Sequence, residues 1–309
     1  MSSYRAPWWL PGGHLQTIAA ALAPAPRVAY RRERWETPDG DFIDLDWAGP
    51  EEAPSGPLLA LFHGLEGSSA SPYARVIAAA ALALGWRCVV PHFRGCSGEL
   101  NRLPRAYHSG DSEEIGRILG RLGAPFAVGI SLGGNALLKH LGEQGSATPL
   151  RRAVAVSAPL DLAAAGRSLD RGLSKQIYTR MFLGSLRKKS LEKHHRHPGI
   201  FDPGRVRAAT TFWEFDDAVT APLHGFKGAD DYWARSSSAP WLASIRVPTL
   251  VLNARNDPFM PAAALDQAAQ RLRDISCGVT LEFPPTGGHA GFPGRGRWLA
   301  CRVMEFLLQ

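Results

Sequence analysis

From Gly56 onward, the chain alternates short continuous apolar runs with longer segments of helical periodicity. Apolar runs of five residues bounded by turn residues are typical of strands buried on both faces. The predicted strands in this first stretch are Leu58–Phe62, Trp86–Val90, Phe126–Ile130 and Ala153–Ser157, and the predicted helices are Pro72–Leu84, Ser112–Leu122 and Leu132–Leu141. Strands that are each separated by a helix predict a mostly parallel central sheet flanked by helices, which is an α/β fold.

The alternation stops between about Pro159 and Pro240 and then resumes. The interrupting stretch contains helical periodicity around Lys175–Leu186 and no clear strand. After it, the predicted elements are Thr249–Asn253, Pro261–Arg273, Val279–Phe283 and Trp298–Leu308. We therefore expect one domain over residues 1–309, with a helical cap inserted at approximately residues 159–240. We refer to residues 159–240 as the inserted segment.

The first 50 residues follow a different pattern. Arg31–Glu36 and Phe42–Trp47 are joined by Thr37-Pro-Asp-Gly40, which is a typical signature of an antiparallel hairpin. The N-terminal residues from Met1 lack the basic and then apolar layout of a signal peptide. No stretch approaches the roughly 20 uninterrupted apolar residues that a membrane span requires.

Composition excludes several classes of protein. With 45% hydrophobic residues among 309, the chain has too much apolar surface to remain disordered. The formal charge of +7 admits anionic partners, but no zinc finger or long basic tail indicates nucleic-acid binding. The four cysteines form no CxxC pair, which favours a reducing compartment. We expect a cytoplasmic protein without a transmembrane segment, and oligomeric state is left open.

The strongest chemical signal is Gly129-Ile-Ser-Leu-Gly133, placed between a predicted strand and a predicted helix. This context is that of a nucleophile elbow, in which Ser131 is held exposed on a sharp turn. Gly129 and Gly133 permit close packing of the backbone around that turn. The alternative is a glycine-rich turn with an incidental serine.

A serine nucleophile needs a base and an orienting acid, which follow it in the order Ser, acid, His in this type of fold. His289 lies in a glycine-rich loop just after the last predicted strand, and Asp257 follows the strand before it. Asp161, after the strand that ends near Ser157, is the rival acid. The other candidate bases are set aside, because His63 precedes the nucleophile, and His194, His195 and His197 are expected to be solvated.

The loop His63-Gly64-Leu65-Glu66-Gly67 follows the first buried strand, where one donor of an oxyanion hole is expected. We predict that the backbone N–H groups of Leu65 and Leu132 form this hole. His63 is predicted to brace the loop by hydrogen bonding, and Gly64 is predicted to be a supporting residue of the same loop. The alternative is an ordinary turn at the end of a strand.

The sequence indicates neither a cofactor nor a metal. No Gly-Lys-Ser/Thr follows Gly67, so the loop is not a P-loop. His92, His108 and Asp111 lack any metal-binding spacing. The basic run Arg187–His197 is interpreted as a solvated helix end, and the alternative is a weak contact with anionic lipid surfaces.

Several long motifs resemble the YheT-like (EMB8-like) branch of the α/β-hydrolases, and together they cover nearly the whole chain. These motifs are Pro7–Ile18, Thr37–Asp46, Phe62–Gly67, His92–Glu99, Gly129–Asn135, Glu214–Phe226 and Asn256–Met260. The resemblance implies an α/β-hydrolase fold and carboxylic ester hydrolysis, with eukaryotic members acting on acylglycerols or phospholipids or making medium-chain esters. It implies the same triad, Ser131, Asp257 and His289.

Together, these observations predict a serine esterase that cleaves acyl or lipid-type esters through an acyl-enzyme. The aromatic and apolar residues expected to form its acyl pocket are Phe182, Leu183, Phe212, Trp213, Phe215, Tyr232 and Trp233. Two alternatives stay open. One is an acyltransferase that passes the acyl group to an alcohol, and the other is a non-catalytic binding protein on the same fold.

Overall fold

The computed structural model describes residues 4–50, 56–294 and 297–309. Met1–Ser3, which belong to the N-terminal stretch that lacks signal-peptide character, lie outside these ranges. Eight strands form one sheet in the order β1-β2-β4-β3-β5-β6-β7-β8. The strands are β1 (Arg31–Glu36), β2 (Phe42–Ala48), β3 (Leu58–Phe62), β4 (Arg87–Pro91), β5 (Phe126–Ile130), β6 (Arg152–Val156), β7 (Thr249–Leu252) and β8 (Val279–Glu282).

The sheet is antiparallel at one edge and parallel elsewhere. β1 and β2 form the predicted hairpin, β2 also pairs antiparallel with β4, and all later pairings are parallel. Every residue of β3 and β7 is buried, whereas β1 at the edge exposes most of its side chains. This arrangement confirms the predicted α/β fold with a mostly parallel central sheet.

Helices cover both faces of the sheet, as the doubly buried strands require. Side chains of β3 alternate between the two apolar cores, with Phe62 on one face and Leu61 on the other. Helices Ser112–Leu122, Leu132–Gln144 and Ala262–Leu272 pack on the first face, and helices Pro72–Ala83 and Trp298–Leu308 pack on the second. The strand β5 and the helix Leu132–Gln144, which flank the nucleophile elbow, are therefore largely buried.

The connection between β6 and β7 contains helices and no strand throughout residues 157–248, all of which the structure describes. Its α-helices are Leu162–Leu169, Gly172–Ser174, Arg180–Arg196, Pro203–Ala208, Phe212–Phe215, Ala221–Leu223 and Ala229–Ser236, its π-helical turns are Lys175–Thr179 and Asp216–Thr220, and a 3₁₀ helix covers Ala239–Ser244. Apolar clusters around Leu183 and around Trp233 lie within this connection.

A helix that the sequence patterns did not predict, Gly12–Leu22, precedes the hairpin. Its first residues, Gly12 and Gly13, have low helix propensity, and Pro11 directly precedes it. Within the described residues, no helix has the combination of length and apolar character that crossing a bilayer requires.

Candidate active site

Ser131 lies at the turn between β5 and the helix Leu132–Gln144, with backbone angles φ 51° and ψ −118°. A positive φ is unusual for serine and indicates a turn that the surrounding packing enforces. A Cβ on Gly133 would lie 2.5 Å from the carbonyl oxygen of His63, and a Cβ on Gly129 would lie 2.5 Å from the carbonyl oxygen of Gly133. Only glycine fits at either position, so both glycines allow the tight elbow.

The structure brings His289 and Asp257 to Ser131. His289 Nε2 lies 2.9 Å from Ser131 Oγ, and its Nδ1 lies 2.8 Å from Asp257 Oδ2. With the proton on Nδ1, the imidazole donates to the carboxylate, and Nε2 is free to accept the serine proton. The Asp257 side chain is fully buried and that of His289 is 11% exposed. The arrangement has the hydrogen-bond order of a Ser-His-Asp triad.

Phe259, which the sequence did not single out, supports both partners of Ser131. Its backbone N–H donates to Asp257 Oδ1 at 2.7 Å, and its ring stacks on the His289 imidazole with centroids 3.9 Å apart. The carboxylate is thus held by one oxygen while the other accepts from His289. The sequence signal for Phe259 is its place in the motif Asn256–Met260, two residues after Asp257.

The rival candidates are engaged elsewhere. Asp161 caps the helix Leu162–Leu169, accepting from Ala164 N–H at 2.9 Å. His63 is fully buried, with Nδ1 2.8 Å from the carbonyl oxygen of Gly64 and Nε2 accepting from Phe93 N–H at 3.1 Å. Burial lowers the pKa of His63 to about 3, so the ring is neutral. These contacts fit the predicted brace.

The metal candidates are also engaged. His92 contacts Asp46 at 2.9 Å, and Asp111 pairs with Arg105 at 2.7 Å. Across the described ranges, no three His, Cys, Asp or Glu side chains are grouped as metal ligands.

The loop at the end of β3 lies against the nucleophile, since a Cβ on Gly64 would be 3.2 Å from Ser131 Cβ. Gly64 N–H donates to Tyr73 Oη and Glu66 N–H donates to Tyr107 Oη, both at 2.9 Å. These two bonds hold the loop on either side of Leu65. The Leu132 N–H is at the first turn of its helix, where backbone donors have no intrahelical acceptor and the helix dipole is positive.

Glu66, the next residue in this loop, links it to the inserted segment. Its carboxylate accepts from Lys189 Nζ at 2.9 Å, from Tyr107 Oη at 2.8 Å and from Ser185 Oγ. Glu66 has a positive φ of 55°. The loop conformation is therefore coupled to the helix Arg180–Arg196, a link that no spacing in the sequence indicates.

A cavity of about 240 Å³ opens at Ser131 and His289 and extends under the inserted segment. Its apolar lining from that segment comprises Leu162, Leu169, Phe182, Leu186, Phe201, Phe212, Phe215, Val219, Leu223, Tyr232 and Trp233. Two predicted pocket residues do not line it. Leu183 packs instead in the cluster with Val206, and the ring of Trp213 is exposed.

The basic run Arg187–His197 is less solvated than expected. Lys193 is only 5% exposed and donates to the carbonyl oxygens of Leu103 and Arg105, and burial lowers its pKa to about 8. Lys189 is bound to Glu66. The prediction of a solvated helix end is wrong for these two lysines, because the helix turns one basic face towards the cavity.

The sheet order and the flanking helices define an α/β-hydrolase fold. The family model described as "alpha/beta hydrolase fold" matches residues 57–294. The chain belongs to the α/β-hydrolase family, and its relatives place it in the YheT-like (EMB8-like) branch. It is 38% identical to "Putative esterase YheT" of Escherichia coli over 95% of this chain and 89% of that protein.

Other relatives extend the comparison to eukaryotes. The chain is 34% identical to "Phospholipase ABHD3" of Mus musculus over 91% of this chain and 70% of that protein. Among solved structures, an esterase from Pyrococcus furiosus superposes with a TM-score of 0.60 at 15% identity, covering 91% of this chain and 90% of that one. At that identity the superposition shows the fold alone.

Proposed function

We propose that the protein is a serine hydrolase that cleaves carboxylic esters. The observation that carries the proposal is the hydrogen-bond chain from Ser131 Oγ through His289 to Asp257 at the mouth of an apolar cavity. A binding protein on this fold would have no need of all three side chains in hydrogen-bond order.

In the proposed reaction, His289 Nε2 takes the proton of Ser131 as Oγ attacks the ester carbonyl. The Leu65 and Leu132 N–H groups stabilise the resulting oxyanion, and one such donor typically contributes about 3–4 kcal/mol. The imidazolium then protonates the departing alkoxide, which leaves an acyl-enzyme on Ser131. Water, deprotonated by His289, attacks this ester, and the carboxylic acid is released with the serine proton restored.

The cavity supports an acyl or lipid-type substrate. Aromatic and aliphatic side chains of the inserted segment line most of it, which suits a hydrocarbon chain. The name of the relative "Phospholipase ABHD3" is that of an enzyme for lipid esters, which agrees with this substrate class. On this proposal the inserted segment, residues 159–240, is a cap that supplies the acyl pocket.

The test compares Ser131→Ala with the parent on p-nitrophenyl esters of two to sixteen carbons. We expect activity to fall at least about 10³-fold, as for removal of a catalytic nucleophile, together with loss of labelling by a fluorophosphonate probe. Ser276→Ala, at an exposed position that does not line the cavity, is the matched control. An equally active Ser131→Ala variant would refute the proposal.

The same assay separates hydrolysis from acyl transfer. Both reactions share the acyl-enzyme and differ only in whether water or an alcohol reaches it. Adding ethanol and measuring the ratio of ethyl ester to free acid therefore tests the acyltransferase alternative.

A weak contact with anionic membranes is a further part of the proposal. With Lys189 and Lys193 turned inward, the exposed basic residues of the run are Lys188, His195 and Arg196, of which Arg196 pairs with Glu192. Exposed Trp8 and Trp9 add side chains typical of the membrane interface. Sedimentation with anionic liposomes at low salt tests it, and absence of binding there removes it.

A further inference from the structure

The N-terminal motif Pro7–Ile18 has no part in the reaction described above. The structure folds most of it into the helix Gly12–Leu22 and buries two of its polar residues, Gln16 and Thr17, which are 1% and 8% exposed. Buried polar side chains in a short terminal helix require partners, and those partners identify what the helix does.

The side chain of Thr17 contacts the backbone of His289, the proposed base. Its Oγ1 accepts from the His289 N–H at 2.8 Å and donates to the carbonyl oxygen of Gly13 at 2.7 Å. The second bond fixes the hydroxyl rotamer, so the lone pair that faces His289 is oriented before any substrate binds.

Gln16 joins the loop of the base to the loop of the acid. Its Oε1 accepts from Gly287 N–H at 2.8 Å and from Asn256 Nδ2 at 2.9 Å, and its Nε2 donates to the carbonyl oxygen of Leu10 at 2.8 Å. Asn256 Oδ1 in turn accepts from Gly288 N–H at 3.1 Å. One buried amide therefore connects the residue before Asp257 with the loop that carries His289.

Close backbone packing accompanies these bonds. A Cβ on Gly13 would lie 1.8 Å from the carbonyl oxygen of Asn256, and a Cβ on Gly288 would lie 2.7 Å from Thr17 N. Neither distance leaves room for a side chain, so the helix and both loops are in direct contact. Three of the five residues from Gly287 to Gly291 are glycine, and such a loop has little conformational preference of its own.

We propose that Gln16 and Thr17 are positioning residues that hold His289 in register with Ser131 and Asp257. The proposal rests on the proposed function, since it concerns how the same site is held. Without the helix, the glycine-rich loop would sample positions in which Nε2 does not reach Ser131 Oγ. Displacement of a catalytic group by about 1 Å costs on the order of 10²-fold in rate.

The experiment uses Thr17→Val, which keeps the shape of the side chain and removes the acceptor, and Thr17→Ser, which keeps the acceptor. We expect Thr17→Val to lower kcat and the rate of fluorophosphonate labelling at least about tenfold with KM little changed, and Thr17→Ser to restore most of both. Leu22→Ala, at an exposed position of the same helix, is the matched control. Rates are compared well below each variant's Tm.

Gln16→Ala provides a second variant and is expected to lower kcat further, because it removes the acceptor of the buried Gly287 N–H and of the half-buried Asn256 amide. If Thr17→Val and Gln16→Ala retain parental kcat and labelling rate while Ser131→Ala is inert, the positioning role is wrong and the proposed function stands. A lower Tm with unchanged kcat would assign the two residues to stability alone and also refute the role. A parent protein that is neither labelled nor active refutes the proposed function itself.

Discussion

Asp161 and Asp257 are both candidates from the sequence for the acid of the triad, and their hydrogen-bond partners in the structure distinguish them. Asp161 follows β6 and Asp257 follows β7, which are neighbouring parallel strands. Both aspartates therefore lie beyond the carboxyl ends of these strands, as Ser131 lies beyond that of β5. Asp161 uses its carboxylate to cap a helix, whereas Asp257 accepts from Phe259 N–H with one oxygen and contacts His289 with the other. On the proposed function, only the second arrangement stabilises the imidazolium that forms during the reaction.

Replacement of the two aspartates tests this distinction. Asp257→Asn is expected to lower kcat on the order of 10⁴-fold, because the amide favours the wrong imidazole tautomer. Asp161→Asn is the control, since asparagine caps helices as well as aspartate does. Steady-state kinetics on one p-nitrophenyl ester measures both. Equal loss of activity in the two variants would contradict the assignment of Asp257.

Three histidines outside the candidate triad, one buried and two half-buried, are expected to make the protein sensitive to acid. Burial lowers the pKa values of His63, His108 and His224 to about 3, below their ordinary value of 6.5. The unfolded chain therefore binds more protons than the folded protein between these values. Stability contributed by the neutral rings is complete above pH 6.5 and is lost as the pH falls towards 3.

His224→Phe tests this linkage, because His224 Nε2 is buried without a partner within the described residues and the ring packs on His108 with centroids 4.4 Å apart. Phenylalanine keeps the packing and removes one titrating group. We expect the difference in Tm between pH 7 and pH 5 to be smaller in the variant than in the parent, as measured by thermal unfolding at both pH values. The same difference in both proteins would contradict the prediction.

At the scale of elements, the nucleophile elbow is the part that the sequence specifies best. A buried strand, the Gly129 to Gly133 turn and a helix each carry a local signal, and the three signals agree. The helix Gly12–Leu22 carries no comparable signal, because the hydrogen bonds that bury Gln16 and Thr17 are made largely with loops at least 240 residues away in the chain. The π-helical turn Asp216–Thr220 likewise departs from the 3.6-residue period on which helix prediction depends.

Gly133→Ala tests the elbow. The added Cβ would lie 2.6 Å or less from the backbone oxygens of Phe62 and His63, so the helix Leu132–Gln144 must shift away from β3. We expect loss of most activity and a lower Tm.

Gly120→Ala is the matched control, because Gly120 lies in an exposed helical position with nothing within 4 Å of its added Cβ. It is expected to raise the free energy of unfolding by about 0.5–1 kcal/mol, since glycine is a poor helix former. Thermal unfolding and esterase assays distinguish the two, and an active, stable Gly133→Ala variant would contradict the steric argument.

At the scale of the whole molecule, the cavity is built from two sources. The sheet domain contributes Ser131 and His289 at one end, and the inserted segment contributes most of the apolar wall. Glu66 connects the two through Lys189 and Ser185. The sequence predicts each part from its own pattern, but the contact between them depends on tertiary packing that no local pattern encodes.

Replacing a large side chain that lines the cavity should change the preferred length of the acyl chain. Phe182 lines the cavity and packs edge-on to Phe259, so Phe182→Ala is expected to raise kcat/KM for long-chain relative to short-chain p-nitrophenyl esters. Trp213→Ala, at an exposed ring of the same segment, should leave that ratio unchanged. A ratio that stays constant in Phe182→Ala would show that acyl chains bind elsewhere.

The contact of Gln16 with Gly287 spans 271 positions of the chain. During synthesis on a ribosome, the helix that contains Gln16 emerges long before the loop on which it docks is translated. Contacts of such long sequence separation form late, because closing a long loop costs entropy before any contact repays it. A nascent polypeptide can therefore complete the elbow around Ser131 well before it completes the site, and on the proposed function esterase activity should appear only after the loop that carries Gly287 and His289 has emerged and docked on the helix.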